Sequence, residues 1–179
     1  MKERANIDIG RDIHYLLHEA AKGNAKCAFL AGLAFEELGY RPFFVQAQFR
    51  RAADLGYPIA QRWLGILGLC HQLQTENCTF SDVSYYQDYD AALSWLKKAA
   101  AGKDKISSLI LAKCKMLGIG MDVDEIGGEM EVKRVVPLLN DNDVTAVALL
   151  FEYIRLENTH SVLNNFRYLR DTPLCELAS

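Results

Sequence analysis

Ala92-Leu93-Ser94-Trp95-Leu96-Lys97-Lys98-Ala99-Ala100-Ala101-Gly102 is the stretch on which the fold turns. Its apolar residues recur at helical spacing, and paired alanines stand just before a glycine. Short side chains at a helix end let a second helix approach closely. The glycine then reverses the chain, because it takes the left-handed conformation without steric penalty. Apolar residues return at helical spacing from Ile106 to Leu117. The stretch therefore predicts one helix, a tight turn and a second helix packed against the first.

Working outward, the same junction recurs. Glu19-Ala20-Ala21-Lys22-Gly23 is followed by Ala31-Gly32, and Arg51-Ala52-Ala53-Asp54-Leu55-Gly56 by Leu64-Gly65. Lys98-Ala99-Ala100-Ala101-Gly102 is followed by Ile110-Leu111. In each case a small or apolar pair stands eight and nine positions after the glycine. With Asn142 in place of glycine, a decayed fourth copy carries Leu150-Phe151 at the same offset. The intervals are 33 residues (23 to 56), 46 (56 to 102) and 40 (102 to 142). Recurrence at such periods is the mark of a stacked helical-repeat array, in which each unit buries one face against the next. Ala52 and Ala100 are expected at close helix contacts.

Between the junctions, helices are expected around Ile13–Ala21, Ala28–Phe35, Pro42–Leu55, Pro58–Leu67, Ala91–Ala101, Ile106–Leu117 and Val144–Leu156. Pro42 and Pro58 suit first turns, where a missing N–H costs nothing. The polar run Gln74 to Asp82 reads as part of an inserted loop, about 72–89. Gly118 to Gly128 reads as a glycine-rich loop, and Val132–Leu139 as a short helix strained by Pro137. Alternation of strand type is missing, so no sheet is expected. One domain over 1–179 is expected, with repeats over about 12–157 and a helical cap over about 158–179. The fold class is all-α: an α-solenoid of helix–turn–helix repeats with helical end caps.

The pattern resembles the Sel-one-like repeat family, a longer relative of the tetratricopeptide repeat. The residues that carry the resemblance are Leu64-Gly65, Gly118-Ile119-Gly120 with Asp122 and Asp124 after it, and Ala92 to Ala100 with its central Trp95. It spans roughly Leu16 to Glu152 and is strongest over residues 91–120. Departures are Ile110-Leu111 for Leu-Gly, Gln48 at the Trp position of the first full repeat, and no paired alanines in the fourth copy. The resemblance implies adaptor or scaffold work, often in bacterial envelope, secretion or signalling pathways. Secreted cysteine-rich members clip helix pairs with a disulfide at the separation of Cys70 and Cys78. Here there is one such pair, and two free thiols is the competing reading.

The 179 residues carry a formal charge of −3 and are half apolar. A general affinity for nucleic acid, which needs a basic face, is not expected. The charged N-terminus does not read as a secretory signal, and no apolar run reaches the 18 residues of a membrane span. Five cysteines without a signal favour reduced thiols and a cytoplasmic location, with secretion by a non-classical route left open.

Several constellations have plain readings. Gly118-Ile119-Gly120 lacks the third glycine and preceding strand of a dinucleotide fingerprint. His14 and His18 stand i, i+4 with no third ligand in view, and a surface or semi-buried structural role is expected. Asp122, Asp124, Glu125, Glu129 and Glu131 lack calcium-loop spacing and read as a solvated loop able to face a basic partner. Tyr85, Tyr86 and Tyr89 adjoin Phe80 in the inserted loop, either as interface anchors or folded back on the Trp95 helix. No catalytic motif, metal site or cofactor site is read.

The function expected is a non-enzymatic protein-binding adaptor that grips a peptide segment or folded domain in a concave groove, with no nucleic-acid or membrane partner. Alternatives are an immunity protein capping a cognate toxin, an enzyme with an unrecognised site, and self-association through an uncapped end. Six positions past each glycine stand Phe29, Arg62 and Ser108, and thirteen past stand Glu36, Leu69 and Lys115. These six residues, with Tyr85 and Tyr86 closing one side, are the expected partner-binding set, and Arg62 is the leading member because arginine is enriched at binding hot spots.

Overall fold

In the computed structural model, residues 9–70, 89–155 and 169–170 are described, the side chains from residue 12 onward. The described residues form eight α-helices and no strand. They are α1 Ile9–Ala21, α2 Ala25–Glu37, α3 Pro42–Asp54, α4 Pro58–Leu69, α5 Tyr89–Ala101, α6 Lys105–Leu117, α7 Glu125–Val135 and α8 Asp141–Arg155, with a 3₁₀ turn at Val136–Leu138. Consecutive helices pack in pairs, and two compact units result, Met1–Tyr57 and Pro58–Ser179.

In the first unit α2 packs against α1 and α3. Gly32 makes the second contact close: a Cβ there would come within 2.6 Å of the Phe49 ring. Phe29 fills the space beside it, with ring centroids 5.3 Å from Phe49 and 5.2 Å from Tyr57.

In the second unit α4 and α5 repeat the device. A Cβ on Gly68 would stand 2.7 Å from the Ala92 Cβ, and one on Gly65 would meet Leu96 and, at 3.1 Å, the Ala92 carbonyl. Ten consecutive residues of α4, Ala60 to Leu69, are buried. The same logic joins α6 to α7 through Gly128, whose absent Cβ leaves room for the Ala112 carbonyl.

The three alanine-rich junctions end their helices in one way. The N–H groups of Asn24, Tyr57 and Asp104 donate to the carbonyls of Glu19, Ala52 and Ala99, and those of Gly23, Gly56 and Lys103 to Ala20, Ala53 and Ala100. This double closure is the Schellman arrangement, and it needs a left-handed residue at its centre. Gly23 (φ +95°) and Gly56 (φ +86°) supply it in the first two copies. In the third the left-handed residue is Lys103 (φ 68°), one position after the expected Gly102.

That slip corrects several expectations. Counted from the left-handed residue, the pair at offsets eight and nine is Ala31-Gly32, Leu64-Gly65 and Leu111-Ala112. The departure at Ile110-Leu111 shrinks to alanine where the family has glycine, and a small residue, Gly32, Gly65 or Ala112, closes each pair. For the same reason Ala99, and not Ala100, is the counterpart of Ala52; Ala52 and Ala99 are fully buried and Ala100 half-buried. In the fourth copy Asn142 is an exposed residue inside α8, not a turn. The turn residue is Asn140, whose side chain accepts from the Asp143 N–H at 2.8 Å.

The expected loop Gly118–Gly128 is shorter than read. Gly118 (φ +69°) ends α6, but α7 begins at Glu125 and carries Gly127 and Gly128 inside it. Asp124 caps the new helix by accepting from the Gly127 N–H at 2.8 Å, and this stabilises a start that two glycines otherwise disfavour. Pro137 does not strain a helix: α7 stops before it, and the proline lies in the 3₁₀ turn. The inserted loop falls outside the described residues up to 88, as does the cap over 158–179 apart from Leu169 and Arg170. Those two are buried, and the Arg170 guanidinium lies 5.3 Å from the Trp63 ring centroid.

Candidate functional site

The expected partner-binding residues divide sharply by exposure. Phe29 and Leu69 are fully buried core residues. Arg62 is 1% exposed, so it offers no surface to a partner. Its Nη1 donates to Asp104 Oδ1 at 2.6 Å, while Asp104 Oδ2 accepts from the Ser107 N–H at 2.9 Å and caps α6. The Ser108 hydroxyl donates to the Asp104 carbonyl at 3.2 Å. The structure therefore brings Arg62 and Ser108 together at Asp104, as a latch between α4 and the start of α6.

The one-residue slip explains the mixture. In the corrected register the residues six positions past the left-handed centre are Phe29, Arg62 and Leu109, all buried. This is a core position of the repeat, which in the middle copy holds a charge. Ser108 and Lys115 looked equivalent only because Gly102 was taken as the centre. Lys115 is half-buried and its Nζ lies 2.6 Å from Asp124 Oδ2. The Lys115 ammonium, and then the Gly127 N–H, hold the Asp124 carboxyl below its ordinary value. Glu36 is half-buried in the last turn of α2, and its carbonyl accepts from the Gly39 N–H at 3.0 Å. Tyr85 and Tyr86 lie outside the described residues.

The other constellations resolve simply. His14 and His18 are exposed on α1, and no group of three metal-ligating side chains occurs among the described residues. Cys27, Cys70 and Cys114 are free, while Cys78 and Cys175 fall outside the described residues. Burial alone pushes the Cys70 thiol up to about 12, and burial also dominates at Cys114, likewise about 12. Glu125, Glu129 and Glu131 belong to α7 and not to a loop.

What the sequence reading missed is apolar surface at the turns inside the helix pairs. At the α2–α3 turn Leu38, Tyr40, Phe43 and Phe44 are each at least 40% exposed. Tyr40 stacks on the buried Phe35 at 4.6 Å, and Phe43 meets Phe44 edge-on at 5.6 Å. The cluster is thus anchored to the core yet open to solvent. At the α6–α7 turn Leu117, Val123, Ile126 and Met130 are exposed. Leu38 and Leu117 hold the same place, directly before the left-handed Gly39 and Gly118. The signal was available: Tyr40-Arg41-Pro42-Phe43-Phe44 sets three aromatics around a helix start, where a core needs few.

Among solved structures, the chain is similar to a Sel1 repeat protein from Oxalobacter formigenes, at a TM-score of 0.60 and 19% identity. The match covers 77% of this chain and 98% of that one. No protein-family model matches the sequence, and no curated protein matches it either. The likeness shows the fold: the chain has a Sel1-like, all-α helical-repeat fold of the α-solenoid class. No helix among the described residues is long and apolar enough to cross a membrane.

Proposed function

We propose that this chain is a non-enzymatic protein-binding adaptor that holds its partner through the aromatic cluster at the α2–α3 turn. The observation that carries the reading is the exposure of Leu38, Tyr40, Phe43 and Phe44 within seven consecutive residues. Contiguous exposed apolar surface on a soluble domain marks interaction sites, and aromatic side chains supply much of the binding energy at protein interfaces. The stacking of Tyr40 on Phe35 and the edge contact of Phe43 with Phe44 fix these rings before a partner arrives, which lowers the entropy cost of binding. Glu36 belongs to the same turn and supplies orientation more than affinity. The helical-repeat fold supports the reading, since such folds serve widely as interaction scaffolds.

The site departs from the residue set expected from sequence, because Phe29, Arg62 and Leu69 are committed to the interior. A photo-crosslinking amino acid placed at Phe43, in cells that naturally produce the protein, should give a discrete adduct. The same group at Lys97, exposed on α5, should give none. Equal labelling at both positions, or none at Phe43, would overturn the reading.

A further inference from the structure

We propose that the Trp63 face of α4 is a docking face for an arginine-bearing segment of a partner protein, and that the chain's own Leu169 and Arg170 hold it closed as an autoinhibitory strap. The face lies in the second unit, and the inference does not depend on the α2–α3 cluster. Gly65 and Gly68 mark the side of α4 turned to α5, since a Cβ on either would strike Leu96 or Ala92. At 3.6 residues per turn, Trp63, Ile66 and Leu67 centre about 150° round the helix from both glycines. They form one apolar stripe on the side away from α5, at i, i+3 and i+4, the spacing by which a segment laid along a helix is gripped. The stripe is shielded: Trp63 and Leu67 are 2% exposed and Ile66 0%. Over Trp63 the shielding group is the Arg170 guanidinium, 5.3 Å from the ring centroid. Leu169 beside it is fully buried, so the segment is seated on the unit and not splayed from it.

Arginine suits that place. The face of an indole attracts a cation, and the flat, weakly hydrated guanidinium lies on it better than an ammonium does. The attraction is individually weak, while burial to 4% exposure takes the guanidinium out of water. The seat therefore gives up its occupant more readily than an apolar core contact does. Release also leaves the array whole: the pairings of α4 with α5, α5 with α6, and α6 with α7 and α8 are made without residues 169 and 170. With the strap off, Trp63 is a bare ring on a preformed helix, open to another segment that offers an arginine beside an apolar residue. A tethered strap acts at high effective concentration, so such a segment binds in trans only weakly until the strap is loosened.

The test places Trp95→Phe in the full chain, which leaves Trp63 as its one tryptophan. In that background Leu169→Ser with Arg170→Ala should unseat the strap: acrylamide quenching of Trp63 rises severalfold, while far-UV circular dichroism keeps the helical signal. A synthetic peptide with the sequence of residues 163–176 should bind this variant about tenfold more tightly than it binds the strapped chain, and should shield Trp63 again. The same peptide with Arg170→Ala should bind about tenfold more weakly, and with Arg170→Lys in between. In the strapped chain the amides of residues 169 and 170 should exchange with solvent faster than those of Trp63 to Leu67, because the strap opens without unfolding the unit. Unchanged quenching in the variant, equal binding of the peptide to both chains, indifference to Arg170, or exchange at one common rate would overturn the proposal. So would loss of the helical signal in the variant, since the two residues would then belong to the core. None of these outcomes touches the crosslink at Phe43, and loss of that crosslink leaves the strap standing.

Discussion

Removing the Asp104 carboxylate should be among the most damaging single changes in the second unit. Asp104→Ala would do two separable things. It would remove a helix cap, at about 1 kcal/mol, because the Ser107 N–H at 2.9 Å loses its acceptor. It would also strand the Arg62 guanidinium, whose side chain is 2% exposed against 12% for Asp104, and breaking one side of a buried pair costs about 3–5 kcal/mol. A loss of about 4 kcal/mol is large beside a typical total of about 5–15 kcal/mol. Asp104→Ser would keep the cap and isolate the charge effect, at about 3 kcal/mol. Arg62→Met should cost less, about 1 kcal/mol, because it removes the buried charge along with Nε and Nη2, neither of which has a partner among the described residues. The double variant Arg62→Met with Asp104→Ser should lie near the parent. Urea unfolding followed by far-UV circular dichroism reads the order directly. With a slope of about 2 kcal/mol per molar, Asp104→Ala should move the midpoint down by about 2 M. One molar salt should leave the differences in place, since buried pairs are poorly screened. If Asp104→Ser melts like the parent while Arg62→Met is the worst of the series, the latch is not held by charge and the reasoning fails.

Lys103→Gly should raise stability by about 0.5–1 kcal/mol, because left-handed φ burdens a side-chain-bearing residue by about 1–2 kcal/mol and glycine returns part of that gain as chain entropy; a melting temperature at or below the parent's would contradict it. In the native protein Cys27 should react readily with a thiol reagent, whereas Cys70 and Cys114 should react only on unfolding. With their thiols near 12 when folded against an ordinary 9.0, the unfolded chain releases these protons first. The contribution is therefore intact below pH 9 and lost as pH rises towards 12. A urea midpoint unchanged between pH 8 and 10.5, or a slope that Cys70→Val with Cys114→Val does not reduce, would count against that.

Most of the fold could be read from the chain because its punctuation is local. Gly23, Gly56, Pro42 and Pro58 act through the backbone of their own residues, and each stands at the helix boundary it predicted. The start of α7 was not legible, since Gly127 and Gly128 look like loop until Asp124 is seen to cap the turn and α6 to require the missing Cβ. The site was less legible than the fold for a similar reason. Arg62 looks like surface in sequence, and only the return of the chain at Asp104, 42 residues on, makes it interior. Exposure of Phe43 and Phe44 likewise depends on what does not pack against them, and no local pattern records that.

The offset between Gly102 and Lys103 bears on how such arrays can be spliced. A chimera joined at the glycine would carry the third copy forward one residue out of phase, turning the next helix by about 100°. Leu109 would leave the interior slot that Phe29 and Arg62 occupy in their copies, and a hydroxyl, Ser108, would enter it. Cut instead at the left-handed residue, whatever its identity, segments of 33 and 47 residues (23 to 56, 56 to 103) become interchangeable parts, with the extra length confined to the connection between α4 and α5.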